Sequence, residues 1–233
     1  MVFTCLFSFS QEKPIVVVEL FTSEGCSSCP PADRLLSSIV NEAYENAEVI
    51  GLSFHVDYWD YIGWQDPYAD SRFSKRQRDY ARQLVSSVYT PQMVVNGSKQ
   101  FVGSNKLHWK RTLTEATQKA SVQPLEVRSS HLNGNRLSFS VISPSKGHVF
   151  NVAVVERDLS QNVNRGENRG RLLTHDNVVR AFASQVQKSD ANSFELELPD
   201  DLDISKSSLV VYSQDQSDLM IVGAKKIELS TLQ

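Results

Sequence analysis

The sequence predicts an α/β domain over residues 14–121, followed by an all-β, sandwich-like domain over residues 122–233. Two observations support this prediction. Up to residue 120, β-branched runs alternate with stretches of helical periodicity, which is typical of a sheet covered by helices. From Pro124 onward, short alternating runs are separated by turn residues, and that spacing favours a β-sandwich.

The first domain begins with a predicted β-α-β unit. Ile15–Phe21 is a continuous, largely β-branched run, as expected of a strand buried on both faces of a sheet. After a turn that contains the Cys26–Cys29 motif, prolines that suit a first helical turn and apolar residues at helical spacing predict a helix from about Pro30 to Tyr44. Val49–Phe54 is the second predicted strand, and the crossover should be right-handed.

A loop, a helix, a hairpin and a last helix complete the first domain. The hairpin is indicated by Asn96-Gly97, the favoured dipeptide of type I′ turns. The basic residues between Arg72 and Arg82 are expected on a solvated helix face. In order, the predicted elements are a long structured loop at His55 to Tyr68, a helix on about Ser71 to Ser86, strands at Met93–Val95 and Gln100–Val102, and a helix capped by Ser104 or Asn105.

The second domain is predicted from its strands and turns. Dipeptides and short runs such as Asn133-Gly134 separate the apolar stretches, as turns do in sandwiches. The predicted strands are Leu125 to Ser129, Arg136 to Ile142, Val149 to Glu156, Ser193 to Leu198, Ser208 to Ser213 and Ala224 to Leu229.

Cys26 and Cys29 form a CxxC motif at the predicted start of the first helix. The helix dipole and unpaired backbone amides stabilise a thiolate there, so Cys26 is the expected nucleophile. Cys29, one turn further along, is placed to attack a mixed disulfide on Cys26. Chance, half a zinc site and a structural disulfide also produce this motif. Zinc is disfavoured because Cys5 is isolated and none of the five histidines is paired at ligand spacing, so no metal ligand is assigned.

The order of a strand, the CxxC motif, a helix and then Thr90-Pro91 before an edge hairpin resembles the thioredoxin superfamily. In that superfamily the matching proline is cis and packs against the dithiol. The resemblance therefore implies a cis bond at Pro91 and a place for Thr90 and Pro91 in the site. From composition alone, a trans proline that opens an edge strand is the alternative.

Longer strings resemble one family more closely, a family of secreted bacterial proteins with a thioredoxin-like domain and no assigned function. This resemblance covers nearly the whole chain. It implies a thioredoxin-like fold for residues 14–121 and export of the protein, and it supplies no substrate. The strings that carry it are Val18–Asp33, His55–Asp60, Tyr89–Gln92 and Arg165–Gly170.

The aromatic loop begins at the carboxyl end of the second predicted strand, where α/β sheets build their sites. One hypothesis is that His55 or Asp57 moves protons for Cys29, or that aromatic residues such as Trp59 form a wall that binds a peptide. Alternatively, the aromatic side chains form a small core under the loop and the acids cap turns. A metal site built on imidazole and carboxylate groups is a further alternative.

A polar, glycine-punctuated segment, Arg165 to Asn177, interrupts the predicted strands of the second domain. Loops of this length are commonly functional or disordered. One hypothesis is that the segment folds back over the dithiol, so that Arg165, Arg169 or His175 stabilises the Cys26 thiolate or selects a redox partner. The alternative is a surface hairpin with ordinary ion pairs.

Charge and the N-terminal segment limit the expected partners. The net charge is −3 and the basic residues are spread along the chain, so no nucleic-acid partner is expected. Residues 1–13 include an apolar run that is too short to span a bilayer and lacks a basic leader, so no membrane span is expected. This segment is the remnant of a signal peptide, a whole, very short signal, or an extra edge strand.

Two functional hypotheses follow from these observations. The first is an exported thiol–disulfide oxidoreductase, periplasmic or secreted, that exchanges disulfides with a protein partner through Cys26 and Cys29 and needs no organic cofactor. The second is a non-catalytic binding module in which the Cys26–Cys29 disulfide is permanent. Reduction potential separates the two, because structural disulfides are the harder to reduce.

Overall fold

The computed structural model describes residues 13–119, 121–143 and 147–232, so nearly all of the predicted segment 1–13 lies outside the described residues. The described chain contains three α-helices: α1 (Pro30–Asn41), α2 (Ser71–Gln83) and α3 (Lys106–Lys119). A 3₁₀-helix occupies Asp57–Ile62, and shorter ones occupy Ile204–Lys206 and Leu229–Thr231. The strands are β1 (Ile15–Thr22), β2 (Glu48–His55), β3 (Gln92–Val95), β4 (Lys99–Val102), β5 (Gln123–Pro124), β6 (Glu126–Asn133), β7 (Arg136–Ile142), β8 (His148–Glu156), β9 (Leu159–Asn162), β10 (Leu172–His175), β11 (Val178–Val186), β12 (Ala191–Glu197), β13 (Ser207–Asp215) and β14 (Ile221–Glu228).

The fold is mixed α/β, with one large mixed sheet and two smaller sheets. The large sheet has the strand order β4-β3-β1-β2-β11-β8-β13-β14-β5. β1 and β2 are parallel, β3 is antiparallel to both β1 and the edge strand β4, and β2 pairs with β11 through Val178 and Ser53. A three-stranded sheet has the order β12-β7-β6, and β9 pairs with β10 in a separate hairpin.

Alternate residues of the large sheet contribute to different apolar clusters, because successive side chains of a strand point to opposite faces. On β1, Val16, Val18 and Leu20 pack in a cluster with residues of α1 and α3. The opposite cluster joins Phe21 to α2 and to β8 and β13 of the second half. A third cluster packs β7 and β12 against β8 and β13.

An ion pair crosses the cluster under α2. Arg76 Nε on α2 donates to Glu19 Oε1 on β1 at 2.7 Å, and the two side chains are only 11% and 0% exposed. Tyr212 on β13 donates to the same carboxylate at 3.1 Å. The expectation of a solvated basic face is therefore wrong for Arg76, whose length and planar group let it reach an acid inside the core.

Most predicted elements are present in the structure, with shifted ends. The first helix ends at Asn41 rather than Tyr44, and Asn96 and Gly97 both have positive φ, as a type I′ turn requires. The expectation of a loop over all of Arg165 to Asn177 is wrong, because Leu172–His175 forms β10. Strands from both sides of the predicted boundary at residues 121 and 122 share the large sheet, and the division into two domains stays a prediction. None of the helices described here is long and apolar enough to cross a membrane.

Candidate functional site

The CxxC motif lies in the turn between β1 and α1, near the ends of the parallel strands β1 and β2. Cys26 and Cys29 form a disulfide with their Cα atoms 5.4 Å apart, and Cys29 is the N-cap residue of α1. The side chains of Ser27 and Ser28 face solvent, whereas the two cysteines are 1% and 0% exposed. The disulfide is therefore enclosed even though the two residues between its cysteines are exposed.

A buried group of acids and histidines packs against this turn; it consists of Glu24, Asp33, His55, Asp66 and His175, and we call it the polar cluster. His175 Nε2 is 3.2 Å from Glu24 Oε1, and His175 Nδ1 is 4.0 Å from Asp33 Oδ2. Asp33 lies one helical turn after Cys29, and its other oxygen accepts a hydrogen bond from Thr22 Oγ1 at 2.8 Å. The chain therefore places an acid on the helix face that also carries the second cysteine.

The histidine at the end of β2 forms the second part of the polar cluster. His55 Nδ1 lies 2.7 Å from Asp66 Oδ2, and both side chains are fully buried. Asp66 also accepts the backbone N–H of Glu24 at 2.8 Å and that of Tyr68 at 3.0 Å. The His55 and His175 rings pack edge to face with centroids 4.9 Å apart. His55 Nε2 and His175 Nδ1 have no hydrogen-bond partner among the described residues.

Burial and charge shift the pKa values of three members in different directions. Burial raises the pKa of Asp33, and the nearby histidines only partly offset this rise. Burial would lower the pKa of His55, but the Asp66 carboxylate raises it overall. Burial would raise the pKa of Asp66, but the charge and hydrogen bond of His55 lower it overall. The His55–Asp66 pair therefore favours its charged form, and the Asp33 carboxyl group binds its proton more strongly than an ordinary aspartate does.

The 3₁₀-helix Asp57–Ile62 and the Thr90–Pro91 segment contact each other next to the CxxC turn. Trp59 Nε1 donates to Thr90 Oγ1 at 2.7 Å. A Cβ atom on Gly25 would lie 3.0 Å from Trp59 Cβ, so the absence of a side chain at Gly25 lets these two segments approach closely. The Thr90–Pro91 peptide bond is cis, which confirms that part of the expectation.

The loop Val163–Arg171, which we call the capping loop, connects β9 to β10 and lies on the CxxC turn. Asn168 is fully buried, and its Nδ2 donates to the carbonyl of Glu24 at 2.8 Å and to that of Cys26 at 2.9 Å. Glu167 Oε2 accepts the backbone N–H of Ser27 at 3.1 Å. This segment therefore does fold back onto the turn, but through an acid and an amide rather than through arginines.

The structure brings some of the predicted site residues together beside the CxxC turn and places others away from it. His55 and His175 meet in the polar cluster, and Trp59 meets Thr90 beside the turn. Asp57 instead pairs with Ser74 of α2, and Arg165 and Arg169 are exposed, with no side-chain hydrogen bond or ion pair to any described residue. Their proposed roles in catalysis stay predictions.

Sequence reasoning missed five residues of this region, namely Glu24, Asp33, Asp66, Glu167 and Asn168. A signal existed for Asp33, because it follows Cys29 by four residues in a predicted helix and so shares its face. Glu24, Glu167 and Asn168 lie inside the strings that carry the family resemblance, whereas Asp66 lies outside them. Within the described parts of the chain, no group of three or more His, Cys, Asp or Glu side chains is arranged to hold a metal ion.

Comparisons with known proteins find a matching family model and solved structures of similar fold. A family model described as "Protein of unknown function (DUF1223)" matches residues 17–214. The crystal structure of protein AGR_C_4864 from Agrobacterium tumefaciens is 29% identical and has a TM-score of 0.70, with 96% of this chain and 98% of that chain covered. HBP35 of Porphyromonas gingivalis has a TM-score of 0.68, with 96% of this chain and 77% of that chain covered. Its sequence is only 15% identical, so this comparison shows a similar fold and nothing more. No curated protein matches the sequence.

Proposed function

The chain belongs to the DUF1223 family of proteins of unknown function, and from its own geometry we propose that it is a thiol–disulfide oxidoreductase. In this proposal, Cys26 and Cys29 exchange disulfides with a protein partner, and the first half of the chain is a thioredoxin-like domain. The strand order β4-β3-β1-β2, with α1 and α2 contributing to different apolar clusters of the sheet, supports that description of the domain.

The observation that carries the proposal is the polar cluster packed against the turn that contains the disulfide. Burying ionisable side chains is costly, because several kcal/mol of hydration are lost per ion unless partners replace it. A disulfide that only staples the chain needs no such groups beside it. Dithiol chemistry does need them, because each exchange cycle adds or removes protons at the sulfurs, and perturbed acids and histidines are suited to that task.

The proposed oxidation of the dithiol proceeds in two displacements. The Cys26 thiolate attacks a partner disulfide, forms a mixed disulfide and releases one partner sulfur as a thiolate. The Cys29 thiol then gives its proton to the ionised Asp33 carboxyl group and attacks the Cys26 sulfur, which releases the second partner thiolate. Cys26 and Cys29 lose two electrons and the partner gains them. Reduction of Cys26–Cys29 follows the same steps in reverse.

Each neighbour of the dithiol has a separate part in this scheme. The N-terminal end of α1 stabilises the Cys26 thiolate through its dipole. The raised pKa of Asp33 brings this group closer to the thiol pKa, which makes proton transfer between them less uphill. Glu24 holds His175 beside Asp33, and Trp59 holds Thr90 next to the turn.

Reduction potential tests the proposal most directly. The purified chain should equilibrate with glutathione buffers at a potential between about −270 and −120 mV, the range from thioredoxin to the oxidase DsbA. A potential below about −300 mV would reject it, because structural disulfides lie there. Trapping identifies the nucleophile: Cys29→Ser should accumulate mixed disulfides with partner proteins, and Cys26→Ser should not. Equal trapping by both variants would contradict the assignment of Cys26.

The burial of both cysteines favours a second candidate, a binding module stapled by a permanent disulfide. Exposures of 1% and 0% leave no direct route for a partner sulfur in this conformation. A potential below about −300 mV together with a normal thiol pKa for reduced Cys26 would support this candidate. Either function suits an exported protein, because disulfides persist in oxidising compartments.

A further inference from the structure

The capping loop belongs to a hairpin that pairs with no other sheet. β9 and β10 bond only to each other among the described strands. The loop is closed by its own backbone, with Gly170 N–H donating to the Val163 carbonyl at 2.7 Å and Val163 N–H donating to the Arg171 carbonyl at 3.0 Å. Arg171 also donates to Asn168 Oδ1 at 2.9 Å, which orients the amide of that side chain. The loop is therefore an internally ordered unit.

Few contacts join this unit to the CxxC turn. Asn168 supplies two hydrogen bonds to backbone carbonyls, and Glu167 accepts one from Ser27. Outside the turn, Gly166 packs closely at the end of the 3₁₀-helix, where an added Cβ atom would lie 3.3 Å from Ile62 and from Trp64. Hydrogen bonds of this kind each contribute only modest net stability, since water replaces them when the loop leaves.

Disulfide exchange requires contact between sulfur atoms. A partner thiolate must reach the Cys26 sulfur before a mixed disulfide can form. Cys26 is 1% exposed although Ser27 and Ser28 beside it face solvent, so its sulfur is enclosed within a turn that otherwise reaches the surface. The carbonyl of Cys26 is the atom that Asn168 binds.

We propose that the capping loop gates the dithiol. Asn168 and Glu167 hold the loop on the CxxC turn, and its release admits the partner sulfur to Cys26. Glu167 has a second effect on the same cysteine, because its negative charge at the N-terminal end of α1 opposes formation of the Cys26 thiolate. The biological meaning of this gate rests on the proposed exchange function, but access to the sulfur can be measured without it.

The test is the rate at which dithiothreitol reduces the disulfide of the full chain under pseudo-first-order conditions. We expect Asn168→Ala to be reduced about tenfold faster than wild type, because the variant loses the two hydrogen bonds from Asn168 that hold the loop on the CxxC turn. A tenfold change in rate corresponds to about 1.4 kcal/mol in the free energy of opening the loop. Asn192→Ala is the matched control, because Asn192 is similarly buried and holds a turn beside the three-stranded sheet through Ser189 and Lys188. Its rate should equal that of wild type.

Glu167→Gln keeps the proposal testable if Asn168→Ala does not fold, because Glu167 is exposed. This variant should be reduced about threefold faster, and the pKa of its Cys26 thiol, followed by alkylation rate against pH, should fall. If Asn168→Ala folds and is reduced at the wild-type rate, the proposal of a gate is refuted. If Asn168→Ala does not fold, a wild-type rate in Glu167→Gln refutes it instead. A faster Asn168→Ala in a protein whose reduction potential is that of a structural disulfide would keep the gate and reject the oxidoreductase.

Discussion

Asp66 is the residue of the polar cluster whose removal should have the largest effect on stability. It accepts hydrogen bonds from the backbone of Glu24 and Tyr68 and pairs with His55 at 2.7 Å. Asp66→Ala removes all three interactions at a position that is 3% exposed. The variant leaves two amide donors without their partner and one imidazole without its counter-charge.

The magnitude follows from the burial of the pair. Breaking a buried ion pair by removing one partner costs about 3–5 kcal/mol. The His55 ring can lose its proton and so avoid part of that cost, while each unpaired buried amide adds about 1–3 kcal/mol. We expect a loss of about 4 kcal/mol in the free energy of unfolding. At about 2–4 °C per kcal/mol for a chain of this size, the midpoint should fall by about 8–16 °C.

The loss should depend on pH in a definite direction. The pKa of His55 is raised in the folded protein, so its contribution is fully present below about 6.5 and is lost as pH rises through the folded value. The difference between wild type and Asp66→Ala should therefore be larger at pH 5.5 than at pH 9. Urea denaturation followed by circular dichroism at both pH values measures this difference.

Asp70→Ala is the control for this experiment. Asp70 caps α2 and pairs with Arg72 at a position that is partly exposed, so its loss should cost about 1 kcal/mol. An Asp66→Ala variant that loses no more than the Asp70→Ala control would refute the reasoning. A loss that is the same at pH 5.5 and pH 9 would show that the His55 charge does not contribute.

Three further predictions concern the core and the dithiol. Gly51→Ala places a methyl group 2.4 Å from Val40 and should destabilise the packing of α1 on β2 by about 1–3 kcal/mol in urea denaturation; an unchanged midpoint would mean that Val40 turns away. Arg76→Met leaves the Glu19 carboxylate buried without its ion-pair partner and should cost about 3–5 kcal/mol, most of which Glu19→Gln in the same chain should restore; no recovery would show that packing, not charge, is lost. Asp33→Asn should slow the Cys29 step of single-turnover exchange about a hundredfold and remove its rise with pH above about 3.8, whereas a wild-type profile would exclude Asp33 as the base.

Local patterns in the sequence were sufficient for most of the secondary structure. β-branched runs, helical spacing and the Asn96-Gly97 turn each depend on neighbours within a few residues, so β1, α1, β2 and the β3–β4 hairpin could be predicted. The same patterns failed for β9, β10 and β11. β9 and β10 are each 4 residues long, too short to show a clear period, and β11 changes along its length from a buried first half to a more exposed second half.

Arg76 and Asp57 illustrate what the sequence leaves open even inside a predicted element. Helical spacing places Arg76 beside Phe73 and Tyr80 at the edge of the apolar stripe, but it does not show that Glu19 on β1 pairs with it in the core. Asp57 lies just beyond the end of β2, yet its carboxylate accepts a hydrogen bond from Ser74 on α2. For both residues, the side chain that binds them belongs to another helix or strand. The periodicity of a segment shows which of its faces is apolar, but not which residues of other segments contact it.

The sequence by itself determined the order of the first elements and the position of the CxxC motif at the start of α1. Only the tertiary structure decided which groups surround it. β11 pairs with β2 through Val178, and this pairing brings His175, three residues earlier, to Glu24 across a separation of 151 residues. Asn168 reaches the carbonyl of Cys26 across 142 residues. Such contacts depend on strand order, and the alternation of a strand shows which face is buried but not what covers it.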